Sequence, residues 1–209
     1  MAILKVAQMG HPILRRVADP IDRSAIGSPE LATIVRDMLD TLNEYDGAGL
    51  AAPQVHLSIR LVALTLTPER GTEFWINPVI TVLSDTTSRT YEGCLSVADL
   101  RGAVERPNHI RVDFVDLEGI DRSYELRGFP AVVAQHECDH LDGVLYVDRV
   151  EPLTLAFLPE YRRYGPMDHY LLEVDDPGAT LELDLSDEEL EDLADDDDIT
   201  EDVVLELEV

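Results

Sequence analysis

The stretch "QHECDHLDG", residues 135–143, places a glutamate directly after one histidine and a second histidine four residues further along. On an α-helix, residues i and i+4 lie one above the other on the same face, so the rings of His136 and His140 can converge on one metal ion. Glu137 would then lie beside that ion as a general base. The pattern predicts a helical metal site for hydrolysis; the alternative is a helix whose histidines only face solvent or form hydrogen bonds in the core.

A catalytic metal needs a third protein ligand and an open position for water. Tyr146 stands three residues after Gly143, where an extended zinc protease motif has its third histidine, which argues against that class. Cys138 lies about 200° around the helix from His136 and should point away from the metal, into the core. Cys94, in "YEGCLS", ranks first among the other candidates, because a thiolate is a strong ligand for a borderline metal. The remaining histidines, each expected at the surface or in packing, are His11, His56, His109 and His169.

The segment "GAGLAAPQ", residues 47–54, matches a relaxed form of the dinucleotide-binding fingerprint. That fingerprint requires a strand before it and a helix after it. Here a predicted helix precedes the segment and Pro53 lies near its end, so the context excludes nucleotide binding. What remains is a loop of small residues ending in Gln54, whose amide can donate hydrogen bonds; the alternative is an ordinary helix-to-strand loop.

The order of predicted elements indicates an α+β fold. Ser28 as N-cap, Pro29 at the first helical position and apolar residues at helical spacing predict an amphipathic helix over 28–42. Strands are predicted at 59–66, 74–80, 90–97, 109–119 and 122–128. Pro130 near its start and Gly143 as its C-cap predict that the metal motif lies on a second helix. No strand–helix alternation recurs, which excludes a doubly wound parallel sheet.

The formal net charge of −27 is concentrated at one end of the chain. From Glu173 onward there are 18 acidic residues and no Lys or Arg, whereas residues 1–172 carry 25 acidic and 16 basic residues. Such a segment is typical of a mobile acidic tail that binds neither nucleic acid nor an anionic membrane; the alternative is a small folded appendage. With no signal peptide and no apolar run of about 18 residues, the sequence predicts a cytoplasmic protein.

Together, "GAGLAAPQ", "EGCLS" and "QHECDHLDG" resemble the three motifs of the peptide deformylases, in the family's order. The resemblance covers residues 1 to about 165 and departs from the family after Ser96, where "VADL" replaces the usual Pro-Gly. It implies an α+β fold with antiparallel β-sheets around a central metal-binding helix. We therefore expect a catalytic domain over 1–172 and an acidic C-terminal tail over 173–209.

The resemblance also implies roles for individual residues. Three residues are implied as metal ligands: Cys94, His136 and His140. Glu137 would be the catalytic acid and base, while Gln54 and the backbone N–H of Leu95 would bind the oxyanion. Gly49 and Gly93 would pair with the backbone of the substrate, as an added strand does. The expected metal is Fe²⁺, for which Zn²⁺ or Ni²⁺ can substitute.

The expected reaction is removal of the formyl group from the N-terminal N-formylmethionine of nascent polypeptides, with release of formate. The expected partners are these nascent peptides, near the ribosome, although an acidic end does not fit docking through a basic C-terminal helix. Two alternatives remain at this stage. A small zinc peptidase would cleave unformylated peptides, and a non-catalytic binding protein would normally lack Glu137 or a ligand, none of which is missing here.

Overall fold

The structure, a computed structural model, describes residues 2–67 and 70–166 of the chain. Its helices and strands are, in chain order, α1 (Pro29–Glu44), β1 (Gly49–Ala51), β2 (Leu61–Leu64), β3 (Glu73–Val82), β4 (Thr87–Cys94), β5 (Val97–Pro107), β6 (His109–Val115), β7 (Asp121–Arg127), α2 (Phe129–Leu141), β8 (Ala156–Phe157) and α3 (Leu158–Tyr164). The predicted domain boundary at residue 172, the acidic tail over 173–209 and His169 lie outside the described residues.

Both predicted helices are present, with the predicted residues at their ends. The Ser28 side chain accepts a hydrogen bond of 3.1 Å from the N–H of Leu31, which caps α1. At the end of α2, Gly143 adopts a φ of +74° and the N–H of Val144 donates to the carbonyl of Asp139 at 2.9 Å. This is a Schellman-type C-cap, in which glycine avoids the strain of a left-handed conformation.

The strands form two antiparallel sheets, which confirms the α+β class. A five-stranded sheet has the order β1-β2-β3-β6-β7, and a three-stranded sheet has the order β4-β5-β8. Strand β6 shows the predicted alternation: Ile110, Val112 and Phe114 are buried, while Arg111 is exposed. The hairpin from β6 to β7 turns at Gly119, with a φ of +80°.

The strand predicted over 90–97 is interrupted in the structure. Strand β4 ends at Cys94 and β5 begins at Val97; these two residues pair, so Leu95 and Ser96 form a tight turn. Leu95 and Val97 are apolar because they pack into the core and not because they continue one strand: Leu95 contacts one core cluster and Val97 belongs to another. The prediction of a continuous strand was therefore wrong, and the turn leaves the N–H of Leu95 outside the sheet ladder.

Helix α2 is buried between the two sheets. It contacts β1, β2, β3 and β7 of the larger sheet and β5 of the smaller one. Ala131, Ala134 and Leu141 pack into a core cluster with Trp75 and Ile110 of the larger sheet. This packing fixes the helix, so its polar residues are held in place by the core on both sides. Within residues 2–67 and 70–166, no helix is both long enough and apolar enough to span a membrane.

Candidate metal centre

Three side chains converge where the end of β4 meets helix α2. The Sγ atom of Cys94 lies 3.2 Å from Nε2 of His140, and the potential ligand atoms of Cys94, His136 and His140 all lie within 4.8 Å of one another. Around a tetrahedral ion with bonds of about 2.0–2.3 Å, ligand atoms are separated by roughly 3.3–3.8 Å. A thiolate and two imidazoles are donors that suit zinc and ferrous iron. The residues present therefore fit a metal ion.

The other predicted cysteine and histidine positions agree with the sequence analysis. Cys138 is buried on the opposite side of α2, and burial raises the pKa of its thiol. His11 and His56 are exposed and their rings meet edge to face at 4.7 Å. His109 bonds to Glu125 on β7 at 3.3 Å. In the part of the chain that the structure describes, none of these four belongs to the metal-ligand group.

The orientation of His136 is fixed by a buried network that sequence reasoning missed. Nδ1 of His136 lies 2.8 Å from a carboxylate oxygen of Glu92, which leaves Nε2 free for a metal. Glu92 accepts two hydrogen bonds from Arg106, whose third donor bonds Asp139 at 2.8 Å. Arg149 closes the network by bonding both oxygens of Asp139 at 2.8 Å.

The network had only a partial signal in the sequence. Glu92 lies in "EGCLS" and Asp139 in "QHECDH", so both stand inside motifs already singled out, as carboxylates beside metal ligands. Arg106 had no local signal, because it follows the nearest motif by several residues and reaches Glu92 only through the pairing of β4 with β5. The sequence could therefore have revealed Glu92 and Asp139, because each is a carboxylate within two residues of a predicted metal ligand.

The electrostatics of the network determine the charges around the metal ligands. Burial alone would raise the pKa of Glu92, but hydrogen bonds from His136 and Arg106 lower it below its usual value, so the carboxylate is charged. Burial lowers the pKa of His140 well below its usual value. Burial also acts to lower the pKa of His136, but hydrogen bonds with Cys94 and Glu92 raise it to about 10. A histidine binds a metal only in its neutral form, so metal binding and protonation of His136 compete.

Glu137 lies next to the ligand cluster, against strand β1. Its side chain is buried and, among the described residues, its Oε2 atom has no hydrogen-bond partner. Burial raises its pKa to about 7, near the value that suits a general base at neutral pH. A Cβ atom on Gly49 would lie 2.5 Å from Oε1 of Glu137. Only glycine at position 49 leaves room for this carboxylate.

Gln54 brings an amide to the same place from the 3₁₀ helix Ala52–Val55. Its Oε1 accepts a hydrogen bond of 2.7 Å from the N–H of Ala51, which orients the Nε2 group toward Cys94 Sγ at 3.5 Å and the Ser96 hydroxyl at 3.3 Å. Among the described residues, no hydrogen bond involves the N–H of Leu95 as donor. The Gln54 amide and the N–H of Leu95 thus come from separate segments next to Cys94.

These groups lie at the floor of a cleft of ≈ 600 Å³. Strand β1, which carries Gly49, and strand β4, which carries Gly93, line the cleft. In the two described ranges, each of these strands pairs with a single neighbour, so each has one unpaired edge. A Cβ atom on Gly93 would overlap the guanidinium of Arg101, which covers this position. The cleft thus brings together potential metal ligands, a buried carboxylate and two strand edges.

Comparison with known proteins agrees with this geometry. The model of the polypeptide deformylase family matches residues 3–156. The chain belongs to the peptide deformylase family. It is therefore a hydrolase that removes the formyl group from N-terminal formylmethionine, as the sequence analysis predicted. The antiparallel sheets and few helices of this chain superpose on solved deformylase structures, which is consistent with the α+β class.

Individual deformylases resemble the chain over most of their length. The peptide deformylase of Leptospira biflexa is 41% identical over 164 residues, which are 74% of this chain and 92% of the relative. The crystal structure of the peptide deformylase from Thermotoga maritima superposes with a TM-score of 0.68 at 36% identity, covering 73% of this chain and 100% of that one. A class I type b peptide deformylase from Acinetobacter baumannii, solved with Met-Ala-Ser bound, gives a TM-score of 0.67 at 36% identity, covering 71% and 99%.

Proposed function

We propose that Cys94, His136 and His140 bind Fe²⁺ on the buried helix α2, and that this ion is the centre of the deformylation reaction. The observation that carries the proposal is the convergence of the three donor atoms within 4.8 Å, with Cys94, His136 and Glu137 lining the cleft. The Glu92 carboxylate supports it by holding the Nδ1 side of His136. Zn²⁺ and Ni²⁺ suit the same thiolate and imidazole donors and are expected to substitute.

The peptide substrate is expected to lie between the two unpaired strand edges of the cleft. Backbone groups of Gly49 on β1 and of Gly93 on β4 would pair with an extended peptide, as in other cases of strand addition. The Acinetobacter baumannii relative was solved with Met-Ala-Ser, a tripeptide that begins with methionine. A free methionyl peptide is what deformylation would leave, so this ligand is consistent with a product in the corresponding cleft.

The metal ligands and Glu137 have separate roles in the proposed hydrolysis. A metal ion bound by the three ligands would polarise the formyl carbonyl and acidify a water molecule. Glu137 takes the proton from that water as it attacks the formyl carbon, and returns the proton to the leaving amine when the C–N bond breaks. The products are formate and a peptide with a free amino group. Burial raises the pKa of Glu137 above its usual value, which favours proton transfer in both directions near neutral pH.

The negative charge that develops on the formyl oxygen is held by two donors. The Gln54 amide is oriented by the N–H of Ala51 toward Cys94, and the N–H of Leu95, the residue after Cys94, would be the second donor. These donors are fixed before the reaction begins, so they need no reorganisation as the charge forms. A thiolate ligand makes the metal less electrophilic than a third imidazole would, so the reaction should depend strongly on both donors.

The Gln54→Leu variant is expected to lower kcat/KM for a formyl-Met peptide by about 100-fold, because one preorganised oxyanion donor stabilises the transition state by about 3 kcal/mol. The matched control is Ser96→Ala, which removes only the 3.3 Å contact with Gln54 and should lower kcat/KM by less than about 5-fold. Steady-state formate release measures both. Equal losses in the two variants would contradict the role of the Gln54 amide.

Removal of the metal with a chelator is expected to abolish formate release, since the three ligands alone supply no electrophile. Anaerobic addition of Fe²⁺ should restore formate release from a formyl-Met dipeptide, and Ni²⁺ should restore it after air oxidation has inactivated the iron form. Metal content is measured in parallel. If neither ion restores formate release while Zn²⁺-loaded protein cleaves an unformylated peptide, the site is that of a peptidase.

We further propose that the natural substrates are formylmethionyl nascent peptides met near the ribosome, in the cytoplasm. The support is chemical: the cleft is open to solvent rather than an enclosed cavity, so a peptide longer than its first residue can extend from it. The acidic segment beyond residue 172 is not expected to dock on the ribosome, because ribosomal RNA is itself polyanionic.

A further inference from the structure

A second cavity, of ≈ 430 Å³, lies behind helix α2, on the side that carries Cys138. Cys138 and Asp142 of α2 line this cavity, whereas the predicted metal ligands His136 and His140 do not. Its other walls include Pro107 at the end of β5 and the second half of strand β3. Among the described residues, it shares none with the catalytic cleft. Deformylation therefore does not account for this cavity.

The wall formed by β3 is a strand edge without a partner. Strand β2 pairs with β3 only up to Ile76, because the chain turns away at Arg60, whose N–H donates to the carbonyl of Asp19 at 2.9 Å. Strand β6 pairs with the other edge of β3 as far as Val82. In the part of the chain that the structure describes, no strand pairs with residues 78–82 on the side of β2.

The backbone groups of Ile80 and Val82 point toward this unpaired edge. The N–H of Leu83 donates to the carbonyl of His109 at 3.0 Å, so Leu83 occupies a hydrogen-bonded position opposite β6. Such positions alternate along an antiparallel strand, which directs the N–H and C=O groups of Ile80 and Val82 away from β6. Both residues line the cavity. An extended chain placed there would pair with these groups and continue the larger sheet.

The shape of the cavity favours a single extended strand as its occupant. The edge of β3 is recessed, because α2 and Pro107 line the same cavity beside it. Two copies of this chain that met at β3 would need this surface to fit itself, and a concave surface does not complement itself. One extended segment, about 5 Å from β3, fits the usual spacing of strands in a sheet.

The accessible charge around the cavity is negative. The arginines that line it are already engaged by carboxylates: Arg106 and Arg149 bond Asp139, and Arg60 bonds Asp142. Asp142 still has 54% of its side chain accessible. Glu105 is exposed and, among the described residues, its side chain bonds only the hydroxyl of Thr87. Residues 1–172 carry 25 acidic and 16 basic residues, so the long-range field also attracts a basic partner.

We propose that the open edge of β3 is a docking site for an extended, basic segment of another protein. An apolar side chain of that segment would contact Ile80 and Val82, and basic side chains would lie near Glu105 and Asp142. Main-chain hydrogen bonds supply the affinity, and the charges select the partner. Val82 is 51% exposed, and docking would remove this apolar surface from water. The inference goes beyond the proposed function and does not depend on it.

The test measures binding of a fluorescently labelled peptide, Lys-Val-Lys-Val-Lys-Val, to the full chain by fluorescence anisotropy. Val82→Pro is expected to raise its Kd by at least about 5-fold, because proline lacks the N–H that faces the added strand. The pairing of β3 with β6 should persist, since this N–H does not face β6.

The matched control is Ser123→Pro on β7, the edge strand at the other end of the same sheet. The N–H of Asp116 donates to the carbonyl of Ile120 at 3.0 Å, and alternation from this pair directs the N–H of Ser123 away from β6 as well. This variant should bind the peptide with the Kd of the unchanged chain. Circular dichroism reports whether both proline variants are folded.

Four results would overturn the proposal. Equal Kd values for Val82→Pro and the unchanged chain would place the peptide elsewhere on this acidic protein, and an equal rise in Ser123→Pro would show that the edge of β3 has no special role. Equally tight binding of Glu-Val-Glu-Val-Glu-Val would remove the preference for a basic partner. Self-association that Val82→Pro abolishes, measured by sedimentation, would assign the edge to a second copy of this chain.

A second variant decides the question if Val82→Pro does not fold. Glu105→Gln removes an exposed charge at the cavity and leaves the backbone of β3 unchanged. It is expected to raise the Kd of the lysine peptide by about 2- to 3-fold, as the loss of one solvent-exposed ion pair does. An unchanged Kd in this variant would contradict docking at the cavity.

Discussion

Replacing Glu137 by glutamine is expected to lower kcat for formate release by about 10³-fold, because the amide cannot take a proton from water or return one to the leaving amine. Glutamine has nearly the same shape, so it should fit against Gly49, where a larger group would not. The metal content should equal that of the unchanged enzyme, since Glu137 is not one of the three ligands. Metal analysis and steady-state formate release on the same preparation measure both properties.

The matched control for this variant is Glu125→Gln, on the exposed edge strand β7, where 65% of the side chain is accessible. Its turnover should be that of the unchanged enzyme. A Glu137→Gln enzyme that retains its metal and turns over within about tenfold of the unchanged rate would refute the acid–base role. Loss of the metal in this variant would instead place Glu137 among the ligands, contrary to the geometry.

The largest effect on stability is expected from Arg106→Met. Arg106 is 2% exposed and bonds both Glu92 and Asp139. Its removal leaves the buried Glu92 carboxylate without its guanidinium partner, whereas Asp139 keeps its bonds from Arg149. Breaking a buried ion pair by removing one partner costs about 3–5 kcal/mol, and we expect a loss of this size in the free energy of unfolding. Denaturant titration of the metal-free proteins measures it without a contribution from metal binding.

Arg149→Met is the natural control, because Arg149 bonds the same Asp139 but its side chain is 48% exposed. An ion pair that remains accessible to water contributes little, so the expected loss is at most about 1 kcal/mol. A similar loss in both variants would show that burial of the charges does not govern the stability of this network. Arg106→Met should also weaken metal binding, since Glu92 would no longer be held against His136.

Much of the fold was predictable because local signals agreed with the tertiary structure. Helix α1 begins after Ser28 and α2 ends before Gly143, since capping depends on residues within one turn of the helix end. The alternation in β6 revealed which side chains are buried. The turn at Leu95 and Ser96 was missed, because both side chains are packed or paired inside the protein and carry none of the glycine or proline typical of turns.

The sequence by itself determined the chemistry of this protein: a thiolate, two imidazoles four residues apart and a glutamate between them, in motifs whose order identifies the family. These features are readable because helical spacing and residue type are local properties.

Only the tertiary structure decided which groups act together. Gln54 meets Cys94 across 40 residues of chain, and His136 meets Glu92 across 44. Contacts over such separations are set by the register of the sheets and the packing of α2 between them, which no local pattern specifies.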